Sequence, residues 1–394
     1  MLAEIFIALI LGIFCGTISG LLPGVHINLV ALLLLSISAF LLEYASVLSL
    51  GCFIIAMAIT HTFLDTLPST FLGAADEESS LSLLPAQRLL LEGKGMDAVL
   101  LSLVGAFGGL LLALLCVPLF LLLVPVVYPF LEPFIGYLLL LLCIFMLWRE
   151  KHTIFALLLF LLSGALGLAV FSLPLSQGLF PLFSGMFGVA MLVQGLQQKI
   201  VIPVQKSGNI SLRDSVLAVP LAVFIGWIAS FLPGLGPAQA AALGTSLMKM
   251  NEKAYLVLVG GLSTVNMLLS LITLYTLQKA RNGAVVVLSQ LMTLSKSDLF
   301  ILLFVGLSAG SIATVLTLSF SQVFCKYMPK VSYKKISIAI VLFIGILVFL
   351  LCGWLGLLVL SVSTCVGLLP SQMHVARSHM MGALLIPVLM YFLL

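Results

Sequence analysis

The sequence predicts an all-α polytopic membrane protein made of two structural repeats of inverted topology, each with a helix broken at a Pro-Gly pair. Three observations carry that prediction. Of 394 residues, 62% are hydrophobic and only 8% are charged. With a mean hydropathy of +1.33, this is more apolar surface than a globular core of that size can enclose. Apolar runs of the roughly 20 residues needed to cross about 30 Å of hydrocarbon recur along the whole chain. Finally, the tripeptide Leu-Pro-Gly occurs twice, at Leu22-Pro23-Gly24 and Leu232-Pro233-Gly234, each time where an apolar helix would otherwise continue. The runs mix Leu, Phe, Val, Ala and Gly without two-residue alternation, which favours helices over an outer-membrane barrel.

The first run, 4–21, follows no basic leader, so a retained helix is expected rather than a cleaved signal peptide. Runs at 26–42, 46–63, 98–124, 134–148, 153–172 and 179–196 complete a first group. A second group lies at 214–231, 237–249, 254–277, 299–325, 336–351, 353–369 and 380–394. Stretches 134–172 and 336–369 can each be counted as one crossing or two. Between the groups lies the polar stretch QQKIVIPVQKSGNISLRD, which divides the chain into a first repeat (1–197), a linker (198–213) and a second repeat (214–394).

Spacings repeat across this seam in three blocks. Gly16 precedes Pro23 as Gly226 precedes Pro233; Asp97, Gly105 and Gly109 step as Asp298, Gly306 and Gly310; Gly164, Gly167 and Pro181 step as Gly353, Gly356 and Pro370. An internal repeat in a membrane chain points to a secondary transporter, whose halves rock around a site at their interface. An odd number of crossings per half makes the repeats inverted. The plainer alternative is an old duplication in a purely structural protein.

At each break the proline lacks an amide proton and drives the preceding residue from the α region, while Gly24 and Gly234 tolerate dihedrals other residues resist. Amides freed where the helix restarts carry partial positive charge and can hold a carboxylate or phosphate. Non-helical backbone at membrane depth is tolerated only against protein or a wet cavity, so the two turns are expected to face one polar pocket. Candidate substrate-binding residues are therefore Pro23, Gly24, His26 and Asn28 in the first break, and Pro233, Gly234, Gly236, Pro237 and Gln239 in the second. Against this stands a simple Pro-Gly kink between full helices, and a packed, hydrogen-bonded His26.

His61 and Asp65 lie four apart in THTFLDT, a spacing that shares one helix face. An ionisable pair in a membrane segment is a candidate for ion or proton coupling, unless the helix ends first and leaves both among headgroups. In the second half, Ser263, Thr264 and Asn266 offer oxygens to a cation, or serve as interhelical hydrogen bonds. Arg281 is a further residue that could draw an anion to a pocket mouth.

Other classes find little support. The net charge of +4 comes from Lys and Arg in short loops, not from a basic and aromatic nucleic-acid face. Lys326, Lys330, Lys334 and Lys335 form the densest basic loop, expected to be cytoplasmic. Seven scattered cysteines with no CxxC pair suggest neither disulfides nor a metal site. An intramembrane enzyme would need a metal-ligand motif or a nucleophile beside a base, and neither is present.

The segments GLLPGVHIN with Gly16 upstream, EGKGMDAVLL at 92–101 and LPGLGPAQAAALG at 232–244 resemble the large permease subunit of the tripartite tricarboxylate transporters, the TctA family. The most specific piece is Pro233-Gly234-Leu235-Gly236-Pro237, and the resemblance spans both halves as that of a short, divergent member. It implies ion-gradient-driven carboxylate uptake, with a small membrane subunit and an extracellular solute-binding protein as partners. The expected function is a permease in the cell membrane for a small organic anion, a di- or tricarboxylate, coupled to Na⁺ or H⁺, with no other cofactor. The alternative is a translocase for polyprenyl phosphate or another lipid carrier.

Overall fold

The computed structural model describes residues 2–22, 27–73, 83–175, 177–197, 202–206, 215–231, 236–237, 240–241, 244, 250–280 and 282–394. Every regular element among them is helical. The first half holds α1 (Leu2–Leu21), α2 (Ile27–Ser36), α3 (Ser38–Leu41) and α4 (Val47–Leu64), which ends in a π-helical turn at Pro68–Leu72. It continues with α5 (Leu83–Leu91), α6 (Gly95–Leu115), α7 (Val117–Leu131), α8 (Ile135–Trp148) and α9 (Thr153–Ser172). Next, α10 (Leu179–Phe183) runs through a second π-helical turn, Ser184–Val189, into α11 (Ala190–Gln197). The second half holds α12 (Ala218–Phe231), α13 (Glu252–Leu277), α14 (Gly283–Leu291), α15 (Lys296–Tyr327), α16 (Tyr333–Met373) and α17 (Gly382–Leu393).

Local chemistry sets several boundaries. Ser46 and Asn251 cap α4 and α13 by accepting from the amides of Ser49 and Ala254, and Ser295 forms a capping box with Asp298 at the start of α15. Within α16, Gly353 has φ 62° and ψ −159°, outside helical space and costly for a residue with a Cβ. The helix therefore has two arms, 333–352 and 354–373. The two stretches whose crossings were open each divide: 134–172 into α8 and α9, and 336–369 into these arms.

Among the described residues nine helical stretches are long and apolar enough to cross a membrane: Leu2–Leu21, Val47–Leu72, Gly95–Leu115, Val117–Trp148, Thr153–Ser172, Leu179–Leu196, Glu252–Leu277, Lys296–Lys330 and Tyr333–Met373. The protein is thus a multi-pass membrane protein. Helices α4 and α13 form its centre, because their most apolar windows are 78% and 83% buried against 22% for α1 and for α16. Phe6, Ile10, Phe14 and Ile18 of α1 point outward, while Gly12, Gly16 and Gly20 lie against Phe53, Met57 and Leu64 of α4. Small residues at four-residue spacing let two backbones approach where hydrocarbon gives no hydrophobic drive.

Contacts define two ends of the bundle. At one end Lys206 donates its amide to Gly93 O (2.7 Å), Gln205 Oε1 accepts from Gly95 N (2.8 Å), and Arg88 pairs with Glu252. At this end also, Ser321 Oγ reaches Met96 Sδ (3.0 Å), Arg377 donates to Gln194 Oε1 (2.7 Å), and Glu150 meets His379 Nε2 (3.0 Å). The Tyr333 hydroxyl stands beside both Gly73 and Gly195. At the opposite end Lys279 pairs with Glu132, and Cys352 Sγ approaches Gln177 O (3.7 Å). Among the described residues, Arg88, Lys94, Arg149, Lys151, Lys206, Lys253, Lys326, Lys330, Lys334, Lys335 and Arg377 lie at the first end, and only Lys279 and Lys296 at the other. The first is therefore the basic end.

Helices α1 and α4 run side by side toward the basic end, while α12 and α13 run side by side away from it, with Gly226 against Val265 and Ala222 against Gly261. Helix α6 crosses to α13, with Gly105 and Gly109 against Val257, Gly261 and Val265; α15 crosses to α4, with Gly306 and Gly310 against Ile55, Ile59 and Phe63. In the third sequence block Gly167 lies against Ala383 O; in the second half a like backbone contact is made by Gly367, against Met186 O. Gly353 and Gly356 do not take that role, since one makes the break in α16 and the other touches Cys352 and Val348 of its own helix. The spacing aligned a helix contact with a turn.

Candidate functional site

The central crossing of α4, α6 and α13 encloses a polar cavity. The C-terminal turn of α4 and the π-helical turn supply Thr62, Asp65, Thr66 and Ser69; α6 supplies Ser102; α13 supplies Gly260 and Ser263, with Phe63, Leu103, Ala106 and Val259 completing the wall. It holds about 370 Å³ of atom-free space, part of it open to the surroundings. Ser102 lies seven residues into α6 and Ser263 eleven into α13, placing the cavity about 10–16 Å below the basic end.

Local backbone explains this placement. Pro68 has no N–H, and the chain takes a π-helical turn from it to Leu72, ending at Gly73 with φ 68°. Such turns re-aim side chains and recur at functional sites. On the facing side, α6 and α13 are in backbone contact: a Cβ at Gly105 would lie 1.9 Å from Val257 O, and one at Gly260 would lie 2.3 Å from Ser102 O. Their polar residues are therefore held at fixed separation.

Asp65, the C-cap of α4, is half-buried in the cavity wall. His61 is 4% exposed and turns to α1, where its Nδ1 lies 3.0 Å from Ser19 Oγ. Although one turn apart on α4, the two meet different surroundings, and only Asp65 lines the cavity. Thr264 is fully buried and bonds Thr62 Oγ1 across the two halves (3.2 Å). Ser263 lines the cavity, and Asn266, three residues on and half-buried, occupies the same face of α13. Thr62, Thr66, Ser69 and Ser102 were not among the sequence candidates. Isolated hydroxyls in apolar helices carry no spacing signal, and only the crossing of three helices assembles them.

Of the substrate candidates, Pro23, Gly24, His26, Pro233, Gly234 and Gln239 lie outside the described residues, as does Arg281. Asn28 falls in the first turn of α2, Gly236 is half-buried and Pro237 is buried. The C-terminal end of α1 lies beside the cavity wall, for Gly20 packs against Leu64 and the Asp65 amide. All seven cysteines are free. Among the described residues no group of three His, Cys, Asp or Glu side chains could hold a metal ion.

A second polar cluster ties the halves at the basic end. Glu150, in the turn between α8 and α9, accepts from the Ala376 amide (3.1 Å) and meets His379 Nε2. Burial raises the Glu150 pKa, but the Ala376 amide, the bond to and charge of His379 and the Lys151 amide together outweigh it and leave the carboxyl below its ordinary range. Burial lowers the His379 pKa, and Glu150 only partly offsets this.

Many apolar spans around a polar cavity shared by two halves define a polytopic membrane transport protein. The model of the tripartite tricarboxylate transporter TctA family matches residues 6–382. The chain belongs to that family and is therefore a tricarboxylate transporter component. It is also 28% identical to an uncharacterized protein of Methanocaldococcus jannaschii over 98% of both chains. No solved structure matches.

Proposed function

We propose that this protein is the permease of a secondary transporter in the cell membrane, carrying a small di- or tricarboxylate driven by a Na⁺ or H⁺ gradient. The polar cavity where α4, α6 and α13 cross carries the reading, because it joins residues of both halves at membrane depth. The coupling cation is assigned to its Asp65, Ser263, Thr264 and Asn266 side, with His61 positioning α1 through Ser19. The carboxylate is assigned to the amides of the two Leu-Pro-Gly turns, with His26, Asn28, Gly236, Pro237 and Gln239 around them.

We take the two halves to be inverted repeats. Supporting this, α1, α4 and α15 run toward the basic end, whereas α12, α13 and α6 run away from it. The α1/α4 contact has its counterpart in α12/α13, and α6/α13 in α15/α4. Rocking one half on the other would expose the shared cavity alternately. A small membrane subunit and a solute-binding protein, partners of the kind the family name implies, would deliver substrate from outside.

Uptake of labelled citrate and succinate into proteoliposomes, with and without the solute-binding protein, tests this reading. Flux is expected only with an inward cation gradient, and is expected to fall in Gly24→Val and Gly234→Val variants. Gradient-independent flux, or no change in either variant, would refute it.

A further inference from the structure

We propose that the corner joining α15 to α16 binds the phosphate headgroup of an anionic phospholipid through Lys326, Lys330, Lys334 and Lys335, with the acyl chains along the uncovered apolar faces of the two helices. The proposal rests on the membrane class alone and is independent of the transporter reading.

Four lysines fall within ten residues at this corner. All four are exposed, and none of their side chains forms an ion pair or hydrogen bond with a described residue. No Asp or Glu follows Asp298 in the chain. The described acids at the basic end are committed elsewhere: Glu92 pairs with Lys94, Glu252 with Arg88 and Glu150 with His379, while Asp97 is buried in the first turn of α6. The corner is thus a patch of uncompensated positive charge, and its geometry keeps the charges together. Lys326 and Lys330 place their Nζ atoms 5.6 and 5.8 Å from the centroid of one ring, that of exposed Tyr327. The chain then makes a single 3₁₀ turn, Met328–Lys330, closed by the Val331 amide on Met328 O (3.2 Å) and anchored by the buried Met328 and Tyr333. Lys334 and Lys335 follow at once in the first turn of α16.

What lies beneath the lysines points to a lipid rather than a soluble anion. On α16, exposed Ile338 and Leu342 follow Lys334 at four-residue steps, and exposed Ala339 and Phe343 follow Lys335 likewise. On α15, exposed Val323 stands one turn below Lys326 and Tyr327. Both faces belong to stretches long and apolar enough to cross the membrane. Each ammonium therefore sits at headgroup level on a stem laid over hydrocarbon-facing surface. The helices leave the corner toward different neighbours, α15 packing on α4 and α6, and α16 on α10, α11 and the π-helical turn between them. Their outer faces stay uncovered as a result. A phospholipid carries its phosphate at the depth of the lysines and its chains against those faces, whereas soluble phosphate brings charge alone. The 3₁₀ turn between α7 and α8, Glu132–Phe134, carries an acid where this one carries lysines, which confines the preference to the leaflet at the basic end.

The test is native mass spectrometry of the purified full-length protein in a neutral detergent, titrated with phosphatidylglycerol or with phosphatidylcholine of the same acyl chains. Wild type is expected to bind phosphatidylglycerol with a Kd about tenfold or more below that for phosphatidylcholine. Lys326→Gln, Lys330→Gln, Lys334→Gln and Lys335→Gln combined are expected to remove this preference, and arginine at the same four positions to keep it. The pairs Lys326→Gln with Lys330→Gln and Lys334→Gln with Lys335→Gln are each expected to weaken it. Lys94→Gln, Lys151→Gln, Lys206→Gln and Lys253→Gln combined remove the same charge elsewhere at the basic end and are expected to leave it unchanged. All of these side chains are exposed, and an unaltered unfolding midpoint in SDS confirms that each variant is folded. Equal affinity of wild type for the two lipids, an undiminished preference in the four-lysine variant or in both pairs, or an equal loss in the control variant overturns the proposal. So does displacement of phosphatidylglycerol by inorganic phosphate at equal concentration, which would assign the corner to a soluble anion.

Discussion

Replacing Gly105 by alanine is expected to wedge α6 from α13, while the same change at Gly306, its counterpart in the repeat spacing, is expected to be harmless. A Cβ at Gly105 would lie 1.9 Å from Val257 O and 2.8 Å from both Val257 C and Gly261 N, inside the 3.0 Å that real Cβ contacts respect. These are backbone atoms and cannot rotate away, so the helices must part by about 1 Å (3.0 − 1.9). Overpacking of this kind costs about 1–3 kcal/mol, with the upper end expected where backbone must move. At Gly306 the nearest atom is Ile55 Cγ2 at 3.7 Å, an ordinary contact. There alanine gains about 0.5–1 kcal/mol of helix preference. Unfolding in mixed micelles titrated with SDS, followed by the fluorescence of the three tryptophans, reads both signs. Gly105→Ala is expected to unfold at lower SDS fraction than wild type, and Gly306→Ala at an equal or higher one. Equal midpoints for Gly105→Ala and wild type would refute the backbone contact.

Other outcomes follow from the same geometry. Gly353→Ala is expected to destabilise by about 1–2 kcal/mol from its φ of 62° alone, since nothing lies within 4 Å of its Cβ; Gly345→Ala, in equally open helical surroundings, is the control expected to show no loss in the same titration. Acidification is expected to loosen the 374–381 segment. Folded His379 holds its proton less readily than an ordinary histidine at 6.5, so the unfolded chain takes up more protons and stability falls as pH drops below about 6.5. Glu150, held below its ordinary 4.5, adds to the loss at lower pH in the same sense. Thermal midpoints between about pH 8 and pH 5 are expected to fall less steeply in His379→Gln than in wild type; parallel curves would exclude His379. With its excess of Lys and Arg, the basic end is expected to face the cytoplasm. In a cysteine-free background, Lys334→Cys is expected to react with an impermeant maleimide only in inverted vesicles, and Lys279→Cys only from outside.

The amino-acid sequence by itself determined the membrane class and the helical content, and it singled out Asp65 and Ser263 as polar positions in apolar helices. Each rests on signals local in the chain: apolar run length, proline and glycine chemistry, or a polar residue where hydrocarbon makes it costly. It also marked Gly105 and Gly306 as equivalents, which they are in spacing but not in packing, because one meets a backbone and the other the ends of side chains. Only the tertiary structure decided that His61 turns to Ser19 while Asp65 lines the cavity, and that Gly367 rather than Gly356 makes a backbone contact like that of Gly167. It alone brought Thr62, Ser69 and Ser102 to one place. A lone hydroxyl in an apolar helix acquires meaning from what crosses it, and crossing is a property of distant segments that no spacing along one segment records.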